Sequence, residues 1–89
     1  MNENIRELII ISLIEECSEL QKALTRFLRY RKGDKSLVDN GQFIEDVVEE
    51  ISDVSNMIDK YIREFNIDIN EICKIKDFKL KRYNHRLNK

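Results

Sequence analysis

Apolar residues recur at three- and four-residue intervals through most of this 89-residue chain. That interval is the period of one face of an α-helix, whereas a half-buried strand alternates at every second residue. The sequence has no proline and only two glycines, so little in it interrupts a long helix. We therefore predict an all-α protein, with a single domain over residues 1–89 and three main helices.

The first helix is predicted from about Asn4 to Tyr30. It ends where basic residues lead into Gly33, because cations and glycine both suit a helix C-terminus. The stretch from Gly33 to Gly41 is predicted to be the main loop, with a short helical turn around Lys35 to Val38. The residues expected to face inward from the first helix are Ile5, Leu8, Ile9, Leu13, Leu20, Ala23, Leu24 and Phe27.

The second helix is predicted from about Gln42 to Phe65, and Asn66-Ile67 forms a tight connection to the third. Asp68, with Glu71 three residues later, has the capping-box pattern that opens a helix. The residues expected to face inward are Ile44, Val47, Val48, Ile51, Val54, Ile58, Tyr61, Ile62 and Phe65 in the second helix, and Ile69, Ile72, Cys73, Leu80, Tyr83 and Leu87 in the third.

Chain length and cysteine placement bear on assembly and compartment. A chain this short buries only a little over ~60% of the surface that its unfolded form exposes, so we expect help from a second subunit. Cys17 and Cys73 fall on apolar helix faces without CxxC spacing, and are predicted to be small buried hydrophobes in a reducing cytoplasm. We expect no membrane partner, because no apolar run is long enough to span a bilayer and no signal peptide is apparent.

Charge is divided unevenly along the chain. Residues 1–73 carry nine basic and sixteen acidic side chains, whereas residues 74–89 carry seven basic and one acidic. The basic end either neutralises the acidic body, binds nucleic acid or binds phosphates near an acidic metal site. The placement of the acids favours the last of these.

Two pairs of carboxylates, Glu16 with Glu19 and Glu50 with Asp53, are each separated by three residues within the apolar helical patterns. Residues at that spacing share one helix face. Glu16 lies within roughly 30° of the centre of the first apolar stripe, with Glu19 at its edge. Glu50 lies within the edge of the second stripe, with Asp53 on the same flank. Two packed helices would bring these four acids together.

Clustered, partly buried carboxylates require raised pKa values or a compensating cation. Oxygen ligands without cysteine or histidine suit Mg²⁺ or Mn²⁺, and the absence of a Glu-x-x-His sequence disfavours a di-iron site. The same three-residue spacing also occurs at Asp46 with Glu49 and at Asp68 with Glu71. Orientation toward the core, and not spacing alone, therefore carries the metal-site prediction.

The segments EECSEL (Glu15 to Leu20) and EEISDV (Glu49 to Val54) lie about thirty residues apart on successive predicted helices. They resemble the paired Glu-x-x-Glu and Glu-x-x-Asp motifs of the MazG-like nucleoside triphosphate pyrophosphohydrolases. The helix order and the short length are also similar to those of minimal single-domain members of that family. The resemblance thus covers most of the chain.

This resemblance implies an all-α fold that builds four-helix bundles as a homodimer or tetramer. It implies a hydrolase that uses Mg²⁺ to cleave NTPs or dNTPs to the monophosphate and pyrophosphate, in nucleotide-pool cleaning. The implied metal ligands are Glu16, Glu19, Glu50 and Asp53. The wider superfamily also contains all-α dimeric dUTP pyrophosphatases and the phosphoribosyl-ATP pyrophosphohydrolase of histidine synthesis, so the substrate class stays open.

The remaining roles are less sharply defined by the sequence. One of the four acids, or Glu15 or Glu49 beside them, would orient the attacking water as base. A phosphate-binding surface is predicted on the third helix, where basic residues share one flank and one lysine falls on the apolar face. These residues are Lys76, Lys79, Arg82 and Arg86, and a solvated basic face is the alternative.

A second function remains open. The chain would then be a non-catalytic helical module that dimerises and uses its basic terminal helix to hold nucleic acid or another protein. The acidic body should weaken general attraction to nucleic acid, so we favour the enzyme.

Overall fold

The computed structural model describes residues 3–37 and 41–88. These residues form three α-helices and no strand: α1 (Glu3–Arg31), α2 (Gln42–Glu64) and α3 (Ile69–Leu87). The prediction of an all-α chain with three main helices is confirmed. The helix ends lie within about one residue of those expected, which is the ordinary uncertainty of a helix terminus.

The end of α1 is fixed by a glycine and by hydrogen bonds to the Asp34 carboxylate. Gly33 has φ 89°, and the next N–H, that of Asp34, donates to the Arg29 carbonyl at 3.1 Å, which closes a Schellman motif. The Asp34 carboxylate accepts from the Ser36 hydroxyl at 2.6 Å and from Arg29 Nη2 at 2.6 Å. The Ser36 hydroxyl and N–H, followed by Arg29, lower the pKa of Asp34 to about 2.

The predicted short helix after Gly33 is a single turn. The Leu37 N–H donates to the Asp34 carbonyl at 3.1 Å, and no further helical bond follows among the described residues of this loop. Val38, the last residue of the predicted turn, lies outside the described residues.

A non-glycine residue in the left-handed conformation connects α2 to α3. Asn66 has φ 53°, and the Ile67 N–H that follows it donates to the Ile62 carbonyl at 3.0 Å. Asparagine tolerates this conformation better than most residues, since its short polar side chain bonds locally. The predicted tight connection at Asn66-Ile67 is confirmed.

Asp68 is the N-cap of α3. Its carboxylate accepts from the Asn70 N–H at 2.9 Å. The reciprocal bond of a full capping box, in which the Glu71 carboxylate would accept from the Asp68 N–H, does not occur among the described residues. The predicted helix start is therefore right, although half of the predicted motif is missing.

Helices α1 and α2 pack side by side as an antiparallel hairpin. At the loop end the Tyr30 and Phe43 rings stack with their centroids 5.3 Å apart. At the other end the Arg6 guanidinium lies 5.4 Å from the centroid of the Phe65 ring. The buried apolar residues all lie along this contact: Ile9 and Ala23 from α1, and Phe43 and Val54 from α2.

Helix α3 packs extensively on neither α1 nor α2. None of its residues is buried, which corrects the inward assignment on this helix. Ile72 is half-buried, whereas Ile69, Cys73, Leu80, Tyr83 and Leu87 are exposed. Apolar periodicity identifies the side of a helix that is able to be covered, but it does not show that the same chain covers it.

The inward assignment was also too generous on the hairpin. In one chain the following predicted core residues are exposed: Ile5, Leu8, Leu24, Ile44, Val48, Ile51 and Ile58. Cys17 and Cys73 were predicted to be buried and are both free and exposed, so this expectation is wrong. The hairpin residues among these lie on flanks that a two-helix contact leaves open, whereas Cys73 lies on α3.

The chain forms a flat layer. Its principal extents are 49 × 39 × 15 Å, and 15 Å is little more than the diameter of one helix with side chains. Its radius of gyration is 16.9 Å, against about 12 Å for a compact domain of this length. Stable domains generally stack at least two layers. A single layer explains why so few apolar residues are buried.

Candidate metal centre

Three of the four predicted metal ligands meet where α1 and α2 touch. Carboxylate oxygens from Glu16, Glu50 and Asp53 lie within 4.8 Å of one another, and all three residues are half-buried. Their positions follow from the hairpin: Glu16 lies on the α1 face that holds Ile9 and Ala23, and Asp53 immediately precedes the buried Val54. We name these three residues the carboxylate cluster.

Glu50 is the member of the cluster whose ionised form is destabilised by its surroundings. Its Oε2 atom is buried and has no hydrogen-bond partner. Burial raises the pKa of Glu50, and the charges of Asp53, Glu16, Glu19 and Glu49 raise it further, in that order. Burial is thus the largest cause of the raised pKa of Glu50, and negative charges on both α1 and α2 add to it.

Glu19, the fourth predicted ligand, lies beside the cluster and not within it. Its carboxylate is exposed and accepts from Lys22 Nζ at 3.2 Å. Its charge nevertheless contributes to the raised pKa of Glu50. Glu19 is therefore close enough to affect the pKa of Glu50, while its own carboxylate forms an ion pair with Lys22.

A cavity of about 210 Å³ adjoins the cluster on the same side of the hairpin. Two cationic side chains line it, and neither was among the predicted site residues. These are Lys22, paired with Glu19, and Arg26, whose guanidinium lies 5.6 Å from the centroid of the buried Phe43 ring. The full lining is Glu19, Lys22, Ala23, Arg26, Asp46 and Glu50.

The sequence held a signal for these two cations. Lys22 follows Glu19 by three residues and Arg26 follows it by seven, so all three share one face of α1. The prediction of a phosphate-binding surface rested on the concentration of basic residues near the C-terminus, which does not include Lys22 and Arg26. Local density of charge is a weaker guide than the helix face on which a charge lies.

The two acids proposed to orient water, Glu15 and Glu49, are both exposed. Only Glu49 is among the charges that raise the pKa of Glu50. Neither belongs to the cluster of converging carboxylates. Of the two, Glu49 is the better placed to act on a group held at Glu50.

The four basic residues predicted to bind phosphate are all exposed on α3. Arg82 lies over the ring of Phe78 on its own helix, 5.8 Å from the centroid. No residue of α3 lines the cavity beside the carboxylate cluster. Within one chain, Lys76, Lys79, Arg82 and Arg86 are not brought together with the carboxylates.

The donor set of the cluster fits a hard divalent cation. Mg²⁺ and Mn²⁺ prefer carboxylate oxygens, and the cluster offers one from each of three residues on two helices. The partnerless Oε2 of Glu50 is an acceptor that the protein does not satisfy. Exposed groups of acids are common without an ion. Arg6 Nε is also buried without a hydrogen-bond partner, so the Glu50 atom is compatible with a bound ion or water and does not by itself select an ion.

No protein-family model, curated protein or solved structure matches this chain. Among the residues that the structure describes, no helix has both the length and the apolarity needed to cross a bilayer.

Proposed function

We propose that this chain is a Mg²⁺-dependent nucleotide pyrophosphohydrolase of the MazG-like kind, with Mn²⁺ as an alternative ion. It would cleave NTPs or dNTPs to the monophosphate and pyrophosphate, in nucleotide-pool cleaning in the cytoplasm. The observation that carries the proposal is the convergence of Glu16, Glu50 and Asp53 around a carboxylate oxygen without a partner. The resemblance of the two acidic motifs supplies the reaction class.

The cluster has the electrostatic character that a cation site needs. Like charges from both helices oppose ionisation of Glu50, and a cation held between the helices would remove that opposition. When bound, a divalent ion neutralises phosphate oxygens and lowers the pKa of water. The protein's part is to hold three oxygens in place, from Glu16 on α1 and from Glu50 and Asp53 on α2.

The proposed reaction is an attack of water on the α-phosphorus. One P–O bond forms to the water oxygen, and the bond from the α-phosphorus to the α,β-bridging oxygen breaks. The electron pair leaves with pyrophosphate, and a carboxylate accepts the proton from water. Glu49 and Glu15 are the acids proposed for this proton, since each directly precedes a member of the carboxylate cluster in the sequence.

We also propose that a second copy completes the fold as a four-helix bundle, in a homodimer or tetramer. The chain exposes 7530 Å², against about 5500 Å² for a compact monomer of its mass. The excess is about 2000 Å² per chain, or about 4000 Å² for two chains, which lies in the range that obligate homodimer interfaces bury in total. The flank opposite the carboxylates offers the apolar surface, including Leu24, Ile44 and Val48.

Pyrophosphate release tests the catalytic proposal directly. We expect release from a panel of NTPs and dNTPs with Mg²⁺ or Mn²⁺ present, and none with a chelator. Glu16→Gln and Asp53→Asn should each lower release on the order of 10²- to 10³-fold, without loss of helix content by circular dichroism. Absence of turnover over the whole panel with both ions would overturn the proposal.

One observation favours the second candidate, the non-catalytic interaction module. Helix α3 has no buried residue, and it includes most of the strongly basic end of the chain. Its basic side chains are therefore open to a binding partner. This candidate predicts salt-sensitive binding to DNA or RNA that survives substitution of the carboxylate cluster. It predicts loss of binding when Lys79, Arg82 and Arg86 are neutralised. Because the body is acidic, we expect nucleic acid to bind weakly.

A further inference from the structure

The cavity beside the carboxylate cluster combines both signs of charge in one place. Glu50 lies on its border and belongs to the cluster as well, so cavity and cluster are continuous. Lys22 and Arg26 come from α1, while Asp46 comes from α2. Asp46 is already bonded, since Gln42 Nε2 donates to its Oδ1 at 2.7 Å.

The two cations are ordered along α1 away from the cluster. At 1.5 Å per residue, Lys22 follows Glu16 by about 9 Å along the helix axis, and Arg26 by about 15 Å. They are four residues apart and therefore neighbours on one face. A chain of phosphates that starts at the cluster and follows α1 toward the loop would meet first Lys22 and then Arg26.

The Arg26 side chain packs over the ring of a buried aromatic residue, Phe43. Its guanidinium lies 5.6 Å from the centroid of the Phe43 ring, which is buried and stacks on Tyr30. A guanidinium over an aromatic face loses little of its ability to bind phosphate, because its N–H groups point outward in the plane of the group. The arrangement holds a phosphate-binding group at the edge of the cavity before any ligand arrives.

Lys22 is poorly explained as a stabilising residue. Its side chain is 68% exposed, and an exposed pair such as Lys22 with Glu19 contributes little to folding. The lysine is, however, a neighbour of an acid proposed to bind metal. If Glu19 turns toward a cation, Lys22 loses its partner and becomes available to an anion in the same cavity.

We infer that Lys22 and Arg26 bind the β- and γ-phosphates of the substrate, which leave as pyrophosphate. The inference rests on the proposed function and deepens it, because it assigns the phosphate-binding role to α1 of the same chain and not to α3. It also gives the substrate a direction: the leaving group lies toward the loop end of the hairpin. The two cations would stabilise the negative charge that develops on pyrophosphate when the bond breaks.

The chain offers a matched control for each cation. Lys81 pairs with Asp77 at 3.2 Å on an exposed helix surface, as Lys22 pairs with Glu19 at the same distance. Arg31 lies 5.9 Å from the centroid of the Phe27 ring, as Arg26 does over Phe43. Lys81 and Arg31 do not line the cavity beside the cluster.

The experiment measures three ligands by titration calorimetry: Mn²⁺ alone, Mg²⁺ with inorganic pyrophosphate, and Mg²⁺ with a nucleoside monophosphate. Lys22→Ala and Arg26→Ala should each weaken pyrophosphate binding by about tenfold or more. Nucleoside monophosphate binding should stay within about twofold, because that product lacks the β- and γ-phosphates. Lys81→Ala and Arg31→Ala should change none of the three, and Lys22→Arg should restore most of the pyrophosphate affinity.

Mn²⁺ alone separates this inference from the proposed function. Lys22→Ala should leave Mn²⁺ binding unchanged or make it tighter, because it removes a cation that competes for Glu19. Pyrophosphate binding that is unchanged in both alanine variants, with Mn²⁺ binding intact, would overturn the inference and leave the metal site standing. Weaker Mn²⁺ binding in the variants would also overturn it, since the cations would then support the cluster itself. Failure of the unaltered protein to bind Mn²⁺ would overturn the proposed function and this inference with it.

Discussion

The α1–α2 hairpin and helix α3 are built from similar materials and differ in what their side chains meet. Each is helical, amphipathic and rich in charge. The hairpin holds every buried residue of the described chain, and α3 holds none. The difference lies in whether a helix has a neighbour within the same chain, which neither composition nor period specifies.

The acid pairs show this difference most clearly. Glu50 and Asp53 on α2 have the same three-residue spacing as Asp68 and Glu71 at the start of α3. On α2 the pair faces Glu16 across a helix contact and forms a cluster. At α3 the first acid caps the helix by accepting from a backbone N–H. One sequence pattern thus forms a cluster of converging carboxylates in one place and a helix cap in the other.

The strongest test compares these two pairs. We expect Asp53→Asn to lower the rate of pyrophosphate release on the order of 10²- to 10³-fold, because it removes a charge from the proposed metal site. Mg²⁺ affinity should fall by more than about tenfold, since even groups one step removed from a metal contribute 10- to 100-fold. Release is measured by a coupled pyrophosphate assay and affinity by calorimetry.

Glu71→Gln is the matched control, since it removes one carboxylate from an exposed pair of the same spacing. It should leave both measurements within about twofold, as is usual for surface substitutions. Equal losses in the two variants would show that net charge and not the cluster governs activity.

Much of the fold was predictable because it depends on local chemistry. The ends of α1 and α2 were predicted to within about one residue, since the glycine and asparagine that end them have a direct conformational reason to do so. The convergence of Glu16 with Glu50 was also predictable, because both were placed on the apolar side of their helices. These features need no knowledge of distant contacts.

The failures have a shared physical cause. Leu80 and Cys17 lie on apolar helix faces, yet both are exposed, because no other part of the described chain covers those faces. Lys22 and Arg26 were overlooked for a related reason. Their place beside the cavity depends on which side of α1 meets α2. A single helix pattern does not settle which flank becomes a polar cavity and which becomes open apolar surface.

A second test asks which apolar surface meets another copy. Val48 on α2 is 58% exposed and Phe78 on α3 is 65% exposed. If hairpins pair to form a four-helix bundle, Val48→Asp places an unpaired charge in the interface and should weaken assembly by about 10- to 100-fold. Phe78→Asp should leave assembly unchanged. Mass is measured by light scattering over a range of concentrations.

The opposite ranking would move the interface from the hairpin to α3. A monomer at every concentration for the unaltered chain would contradict the proposed bundle, whatever the variants do. Circular dichroism of each variant separates loss of assembly from loss of helix.

A third test exploits the charge strain at Glu50. Because the folded state raises the pKa of Glu50, the ionised carboxylate lowers stability at neutral pH. With a chelator at pH 7, Glu50→Gln should therefore raise the urea midpoint of unfolding. The gain should shrink as pH falls through the raised pKa, and vanish below the ordinary value of 4.5, where Glu50 is protonated in both states.

Saturating Mg²⁺ should reverse the sign, because the ion stabilises the native state of the unaltered chain more than that of the variant. Glu71→Gln on α3 should show neither the gain nor the reversal. A Glu50→Gln chain that is less stable than the unaltered chain in chelator would show that the carboxylate supports the fold and is not held in strain.

The smallest expected effect concerns the start of α3. Asp68→Ala removes the bond from the Asn70 N–H, and loss of an N-cap costs about 1 kcal/mol. Since α3 packs extensively on neither α1 nor α2, the loss should stay local. Hydrogen exchange should quicken about fivefold for amides in the first turns of α3, as about 1 kcal/mol implies, and stay unchanged near Val54. Faster exchange at Val54 as well would mean that α3 and the hairpin unfold together as one cooperative unit.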